Sequence, residues 1–238
     1  MTAQKLPRPG ELLTYAAAMW YDKEKNKGEI YMKVLVINGS PHTRGCTARA
    51  LDEVEKVLRA EGIETERLEI GSRKISGCMA CGYCRGSGRC VFDDEVNAAA
   101  EKLRGADGLL VGSPVYYASP NGTLISFLDR LFHSASYPMH LKVGAAVVSC
   151  RRGGASASFD ALNKYFTIAG MPVVSSTYWN SVHGFTAEDV EKDLEGLQVM
   201  RNLGRNMAFM IKSIAAGRQS FGAPEVERGA FTSFPDGK

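Results

Sequence analysis

The feature that most constrains this chain is an alternation that begins at Lys33. Lys33-Val34-Leu35-Val36-Ile37-Asn38 is a short apolar run that stops abruptly at Gly39-Ser40-Pro41. A run of that length, closed by turn formers, is the pattern of a parallel strand buried on both faces. Residues 47–61 then carry Ala50, Leu51, Val54, Val57 and Leu58 at i, i+3, i+4, i+7 and i+8, one apolar face of a helix. The pattern repeats. Strands are predicted at 64–70, 108–112, 143–148 and 172–177, and helices at 95–103, 123–132, 156–168 and 187–214. Asp93 or Asp94 is the expected N-cap of the helix at 95.

Such an order predicts one parallel sheet of five strands with helices on both faces, a three-layer α/β/α domain. Five strands fit the flavodoxin-like form of the doubly wound fold better than the longer dinucleotide-binding form. A length of 238 residues holds one such domain plus flanking segments. The predicted boundaries are an N-terminal arm at 1–31 with one short helix at 11–21, the domain at 32–216, and an irregular tail at 217–238. A net charge of +3 gives no reason to expect nucleic acid or an anionic membrane surface as partner. No apolar run approaches the roughly 18–20 residues that span a bilayer. The apolar stretch at 12–20 has neither a basic segment before it nor a clear small-residue cleavage site, so it does not read as a secretory signal. The expected compartment is the cytoplasm.

In open α/β sheets, ligands bind at the carboxyl ends of the strands. The first such end reads Asn38-Gly39-Ser40-Pro41-His42-Thr43-Arg44-Gly45-Cys46-Thr47. Gly and Pro shape a tight turn, Ser40, Thr43 and Thr47 supply hydroxyls, and Arg44 supplies a charge. The helix that follows offers unpaired N–H groups and the positive end of its dipole. Neither Gly-x-Gly-x-x-Gly nor a Gly-Lys-Ser/Thr ending is present, which disfavours a Rossmann dinucleotide site and a Walker ATPase. A monophosphate cofactor such as FMN suits a loop of this size; the alternative is an ordinary strand-to-helix turn with a Ser/Thr cap.

The segments KVLVINGSPHTRGCT and VGSPVYYASPNGTLISFLDRL resemble the NAD(P)H-dependent FMN reductase family of flavodoxin-like proteins. The family's first loop reads Gly-Ser-Pro-Arg-x-x-Gly-Asn-Thr. Ser40, Gly45 and Thr47 match it, His42 replaces the usual Arg, and Cys46 replaces the usual Asn. The resemblance runs from about residue 33 to about 214. It implies FMN as cofactor, NAD(P)H as co-substrate, and phosphate contacts from Ser40, His42, Arg44, Gly45, Cys46 and Thr47. It also assigns Pro114, Val115, Tyr116 and Tyr117, after the third strand, to the isoalloxazine ring. A flavin needs a flat, partly apolar platform and backbone groups for its polar edge. Arg152 and Gly153, after the fourth strand, are candidates for charge and close backbone approach beside a reduced flavin or a nicotinamide phosphate.

Four of the six cysteines crowd into one segment, Cys78, Cys81, Cys84 and Cys90, spaced C-x2-C-x2-C-x5-C. In a reducing compartment, clustered thiols hold a metal or cluster or do redox work. A loop with a cysteine at every third residue, relaxed by glycines, can wrap a cubane. The spacing departs from bacterial ferredoxins, and Val91 rather than Pro follows Cys90. It resembles the compact motif of the iron–sulfur flavoproteins, a branch of the same family, and so implies a [4Fe–4S] cluster. A zinc ion held by the four cysteines and a loop of free thiols are the alternatives. Cys150 reads as a small buried apolar residue. Tyr178, Trp179, Asn180, His183 and Gly184 read as a rim over the flavin, a subunit contact or packing. His133 and His140 read as ordinary residues.

The expected function is therefore an FMN-binding oxidoreductase with no catalytic side chain, because the cofactor performs the chemistry. Electron transfer from ferredoxin without a small substrate, and a cluster-free NAD(P)H:flavin or quinone reductase, are the alternatives. The expected partners are a small-molecule electron acceptor or ferredoxin. The resemblance further implies a homodimer or homotetramer in which the cysteine loop of one subunit approaches the flavin of another. Leu12, Leu13, Tyr15 and Trp20 of the arm are candidates for clasping that neighbour.

Overall fold

The structure, a computed structural model, describes residues 31–227 together with 230 and 232. The expected arm at 1–31 and its helix lie, but for Tyr31, outside the described residues. The elements in chain order are β1 (Met32–Asn38), α1 (Cys46–Ala60), β2 (Ile63–Glu69), α2 (Tyr83–Ser87), α3 (Glu95–Gly105), β3 (Gly108–Tyr116), β4 (Ser119–Pro120), α4 (Gly122–Ser134), β5 (Val143–Cys150), α5 (Ala155–Ile168), β6 (Ser181–His183), α6 (Ala187–Val190) and α7 (Leu194–Phe221). The sheet order is β2-β1-β3-β5-β6 with all neighbours parallel, and β4 folds back antiparallel onto β3. The order reverses direction between β1 and β3, the crevice where doubly wound sheets bind their ligands.

Alternation within the strands builds the two faces. Val34 and Val36 of β1 and Leu110 of β3 join Leu51, Val54 and Leu58 of α1 and Met200, Leu203 and Met207 of α7 in one core. Leu35, Ile37, Leu109 and Val111 point the other way, onto Val96 and Leu103 of α3, Phe127 and Leu131 of α4 and Phe166 of α5. Successive strand residues face opposite layers, so each apolar run is buried on both sides. The three-layer architecture follows.

Three expectations need correction. The strand expected at 172–177 shrinks to a single parallel bridge between Val173 and Gly144. The chain leaves the sheet and rejoins it at β6, where Ser181, Val182 and His183 pair with Val148, Ser149 and Cys150. In the gap, the Asn180 side chain donates to the Ala146 carbonyl at 3.0 Å while the Asn180 backbone carbonyl accepts from Val148 N at 2.9 Å. A side-chain amide thus replaces part of the ladder. The single helix expected at 187–214 is two, because Asp193 caps α7 by accepting from Gly196 N at 2.9 Å. Finally, α7 runs to Phe221, so residues 217–221 of the expected irregular tail are helical. Among the described residues, no helix is long and apolar enough to cross a membrane.

Candidate functional site

The loop between β1 and α1 is held in shape by its own polar groups. Ser40 N donates to Asn38 Oδ1 at 3.0 Å, His42 N to Ser40 Oγ at 3.1 Å, and Gly45 N to the His42 carbonyl at 3.2 Å. Asn38 is itself fixed by donating Nδ2–H to Glu69 Oε2 at 2.7 Å. Gly71 lies directly behind the loop, where a Cβ would overlap the Ser40 carbonyl. Gly45 is the N-cap of α1, no side chain caps that end, and no acidic residue occupies its first turn. An uncapped, acid-free terminus of a 15-residue helix leaves N–H groups and positive dipole charge facing outward, as a phosphate requires. Burial pushes the Cys46 and Cys150 thiols up, so both stay protonated near neutral pH and neither resembles an activated nucleophile.

Thr47 is tied to a second loop. Its hydroxyl is buried and shares a 2.8 Å hydrogen bond with Ser149 Oγ at the end of β5. The same bond ties the first turn of α1 to the fourth parallel strand and fixes two loops against each other.

The loop after β3 is a tight hairpin. Val115 pairs with Pro120 and Tyr116 with Ser119, leaving Tyr117 and Ala118 as a two-residue turn. Both turn residues have positive φ, 51° and 59°. Left-handed backbone in a tyrosine and an alanine is strained, because such turns normally take Asn and Gly. The strain places the Tyr117 ring fully in solvent and leaves Tyr116 exposed. Gly154 locks the neighbouring loop onto this hairpin: a Cβ there would sit 2.8 Å from Ala118 Cα and 2.9 Å from Val115 Cγ1. Arg152 and Gly153 are exposed beside it, and Arg151 stacks over Phe185 at 5.9 Å. The structure therefore gathers the 39–47, 114–118 and 151–154 loops at one edge of the sheet. Their shape, with glycine-permitted contacts and an uncapped helix terminus, fits a flat mononucleotide.

The cysteines lie along α4. Cys78, Cys81, Cys84 and Cys90 all line one small cavity, shared with Arg130, His133 and Ser134. Cys78 and Cys81 are exposed and Cys84 and Cys90 half-buried. Among the described residues, no three metal-ligating side chains converge at bound-metal spacing. The donor set nevertheless fits a thiolate-held cluster, because four soft ligands face one space and packing does not lock the two exposed ones. Arg130 is 1% exposed and closes the floor of the cavity. It donates to both Asp94 oxygens at 2.7 and 2.8 Å, to the Ser76 carbonyl at 3.3 Å and to Cys90 Sγ at 3.2 Å, and it stacks over Phe92 at 4.7 Å. Burial opposes its charge, and the hydrogen bonds to Asp94 and Cys90 outweigh that, so its pKa is raised. Asn97 pins the backbone of Cys90 on both sides, accepting from its N–H at 2.9 Å and donating to its carbonyl at 3.1 Å.

The family model for NADPH-dependent FMN reductase matches residues 32–186, most of the described domain. The chain belongs to that family. Among curated relatives, an iron–sulfur flavoprotein of Methanocaldococcus jannaschii is 32% identical over 196 residues, 77% of this chain and 99% of the relative. An iron–sulfur flavoprotein of Methanosarcina thermophila is 30% identical over 191 residues, 79% of this chain and 99% of the relative. These relatives put the chain on the iron–sulfur flavoprotein branch of the FMN reductase family. The fold is shared with RosB bound to 8-demethyl-8-formylriboflavin-5'-phosphate, at a TM-score of 0.62 and 16% identity over 86% of this chain and 94% of that one. A flavodoxin from the domain Archaea aligns at a TM-score of 0.51 and 18% identity, over 76% of this chain and 99% of the flavodoxin.

Several residues of this reductase-family site escaped the sequence reading. Glu69 and Gly71 act on the 39–47 loop from behind, and no motif marks them. Arg130 carries a clearer sign. It sits on the buried face of α4 with Leu124, Phe127 and Leu131, and a lone cation on an apolar helical stripe requires a buried partner.

Proposed function

We propose that this chain is an FMN-dependent oxidoreductase that also carries a [4Fe–4S] cluster on Cys78, Cys81, Cys84 and Cys90. The observation that carries the reading is the lining of one cavity by all four cysteines, beside a buried arginine, on the same scaffold as an uncapped phosphate loop. The names of the curated relatives support it. Ser40, His42, Arg44, Gly45, Cys46 and Thr47 surround the FMN phosphate, chiefly through backbone N–H groups. Pro114, Val115, Tyr116 and Tyr117 face the ring, and Arg152 and Gly153 border it. Bound FMN supplies two-electron exchange with NAD(P)H, and the cluster supplies single-electron exchange. The protein orients the ring, holds the phosphate and keeps one edge open to a small-molecule acceptor or a ferredoxin. Homodimers or homotetramers bring a second cysteine loop toward the flavin edge.

Anaerobic purification followed by one absorption spectrum tests this reading. Flavin bands together with broad iron–sulfur absorption, and about four iron and four sulfide per chain, are the expected result. NADPH oxidation with flavin or quinone as acceptor should accompany them. Flavin without iron after anaerobic reconstitution would remove the cluster. Negligible NADPH oxidation beside rapid reduction by ferredoxin would replace the reductase with a carrier.

A further inference from the structure

We infer that Arg130 and Ser134 of α4 form a pair of hydrogen-bond donors that holds the reduction potential of the cysteine-bound cluster up and thereby tunes its electron transfer. The inference rests on the cluster reading above and goes beyond it to this chain's own residues.

Arg130 and Ser134 are spaced i, i+4, which puts them on the same face of α4, and both line the cysteine cavity. The Arg130 guanidinium is buried, yet its partners do not all serve to neutralise it. Asp94 takes the two terminal nitrogens in a bidentate pair, while Nε–H points away to Cys90 Sγ at 3.2 Å. A purely structural ion pair needs only the first of these. The Ser134 hydroxyl gives an independent sign. It is buried, it faces the same cavity, and it is hydrogen-bonded to nothing in the structure. Leaving a buried hydroxyl unpaired is costly, so native proteins rarely do it unless a further group completes the bond. Four thiols line the space before it, and cluster sulfurs accept such donors.

The effect has a definite sign. One-electron reduction adds a negative charge spread over the cluster and its sulfurs. An N–H or O–H donor, and a buried cation behind one sulfur, therefore stabilise the reduced form more than the oxidised one. Asp94 offsets part of that cation.

The test uses the anaerobically purified, FMN-bound full chain and a dye-mediated redox titration read by electron paramagnetic resonance. Arg130→Lys keeps the charge and loses the Nε–H bond. It should disfavour reduction about tenfold, a fall of about 59 mV for one electron. Ser134→Ala should shift the equilibrium severalfold in the same direction while leaving FMN content unchanged. Asp94→Asn retains the α3 cap, uncovers the guanidinium and should shift the potential upward. Opposite signs for Asp94→Asn and the other two cannot come from a general loosening of the loop. Where Arg130→Lys does not assemble a cluster, Ser134→Ala and Asp94→Asn decide. Unchanged potentials in these two overturn the inference even when the wild-type cluster is intact. A wild-type chain with FMN and no iron overturns the cluster reading instead, and the iron assay shows this before any variant is titrated.

Discussion

Between Asn38 and Thr47 the chain is held from behind. Asn38, Ser40 and His42 bond one another, Glu69 anchors Asn38, Gly71 backs the turn, and Thr47 is tied to Ser149. Between Gly77 and Cys90 the chain is held by the short helix α2 and by Arg130 and Asn97 at Cys90, while Cys78 and Cys81 stand exposed. The first loop is shaped by the fold itself, and the second is a loop that a bound cluster would complete. The difference teaches that a phosphate can be met by backbone N–H groups that the fold must place anyway. A four-thiolate cluster needs side chains from several directions, and it supplies much of the order itself.

The largest expected effect tests that contrast at the cysteine loop. Cys81→Ser should abolish iron and sulfide retention, yet change the stability of the metal-free chain by no more than about 0.5 kcal/mol, as expected for an exposed side chain. Loss of FMN in the same variant would break the comparison. At the other loop, Gly71→Ala drives a methyl into Ser40. Overpacking there should cost about 1–3 kcal/mol, and on the order of 100-fold in FMN affinity if about 2.7 kcal/mol of it falls on binding. Calorimetry checks the affinity, and iron content should stay intact. Thr47→Val strands the Ser149 hydroxyl and should cost about 1–3 kcal/mol in urea unfolding, with a smaller loss of FMN affinity because the backbone N–H remains. Replacing Tyr117 by Asn and Ala118 by Gly should relieve left-handed strain and stabilise the FMN-free chain by about 1 kcal/mol. The same change should weaken FMN binding, since the exposed ring is lost.

The smallest effect is a pH dependence. Burial raises the Glu69 carboxyl, so the folded chain keeps that proton to higher pH than the unfolded chain. The resulting stability is complete below the unfolded value, about pH 4.3, and is lost as pH rises through the folded value. Glu69→Gln can still accept from Asn38 and lacks this loss. The thermal midpoint of the variant minus that of the wild type should therefore grow with pH across this window and then level off. A flat difference would remove Glu69 from the support of the phosphate loop.

Much of the frame is legible in the sequence because burial on both faces writes itself as unbroken apolar runs. β1, β3 and β5 are of that kind, and α1 shows its apolar face directly. The last strand is not. Pro172 to Val174 is apolar enough to predict pairing, but Asn180 supplies the ladder contact from a side chain, which no periodicity records. At the site, Gly45 and the cysteine spacing announce themselves through turn chemistry and thiol count. Glu69, Gly71 and Ser149 act through contacts between segments far apart in the chain. A single sequence carries no mark of such distances.

The hairpin and the floor of the cysteine cavity are joined by α4, which Asn121 caps by accepting from Thr123 N at 2.8 Å and Leu124 N at 3.2 Å. From Gly122 to Arg130 the helix spans roughly 12 Å. The separation between the hairpin and the cysteine cavity is then a yardstick cut by helix pitch. Slack in the cysteine segment can move its thiols, but it cannot lengthen that interval.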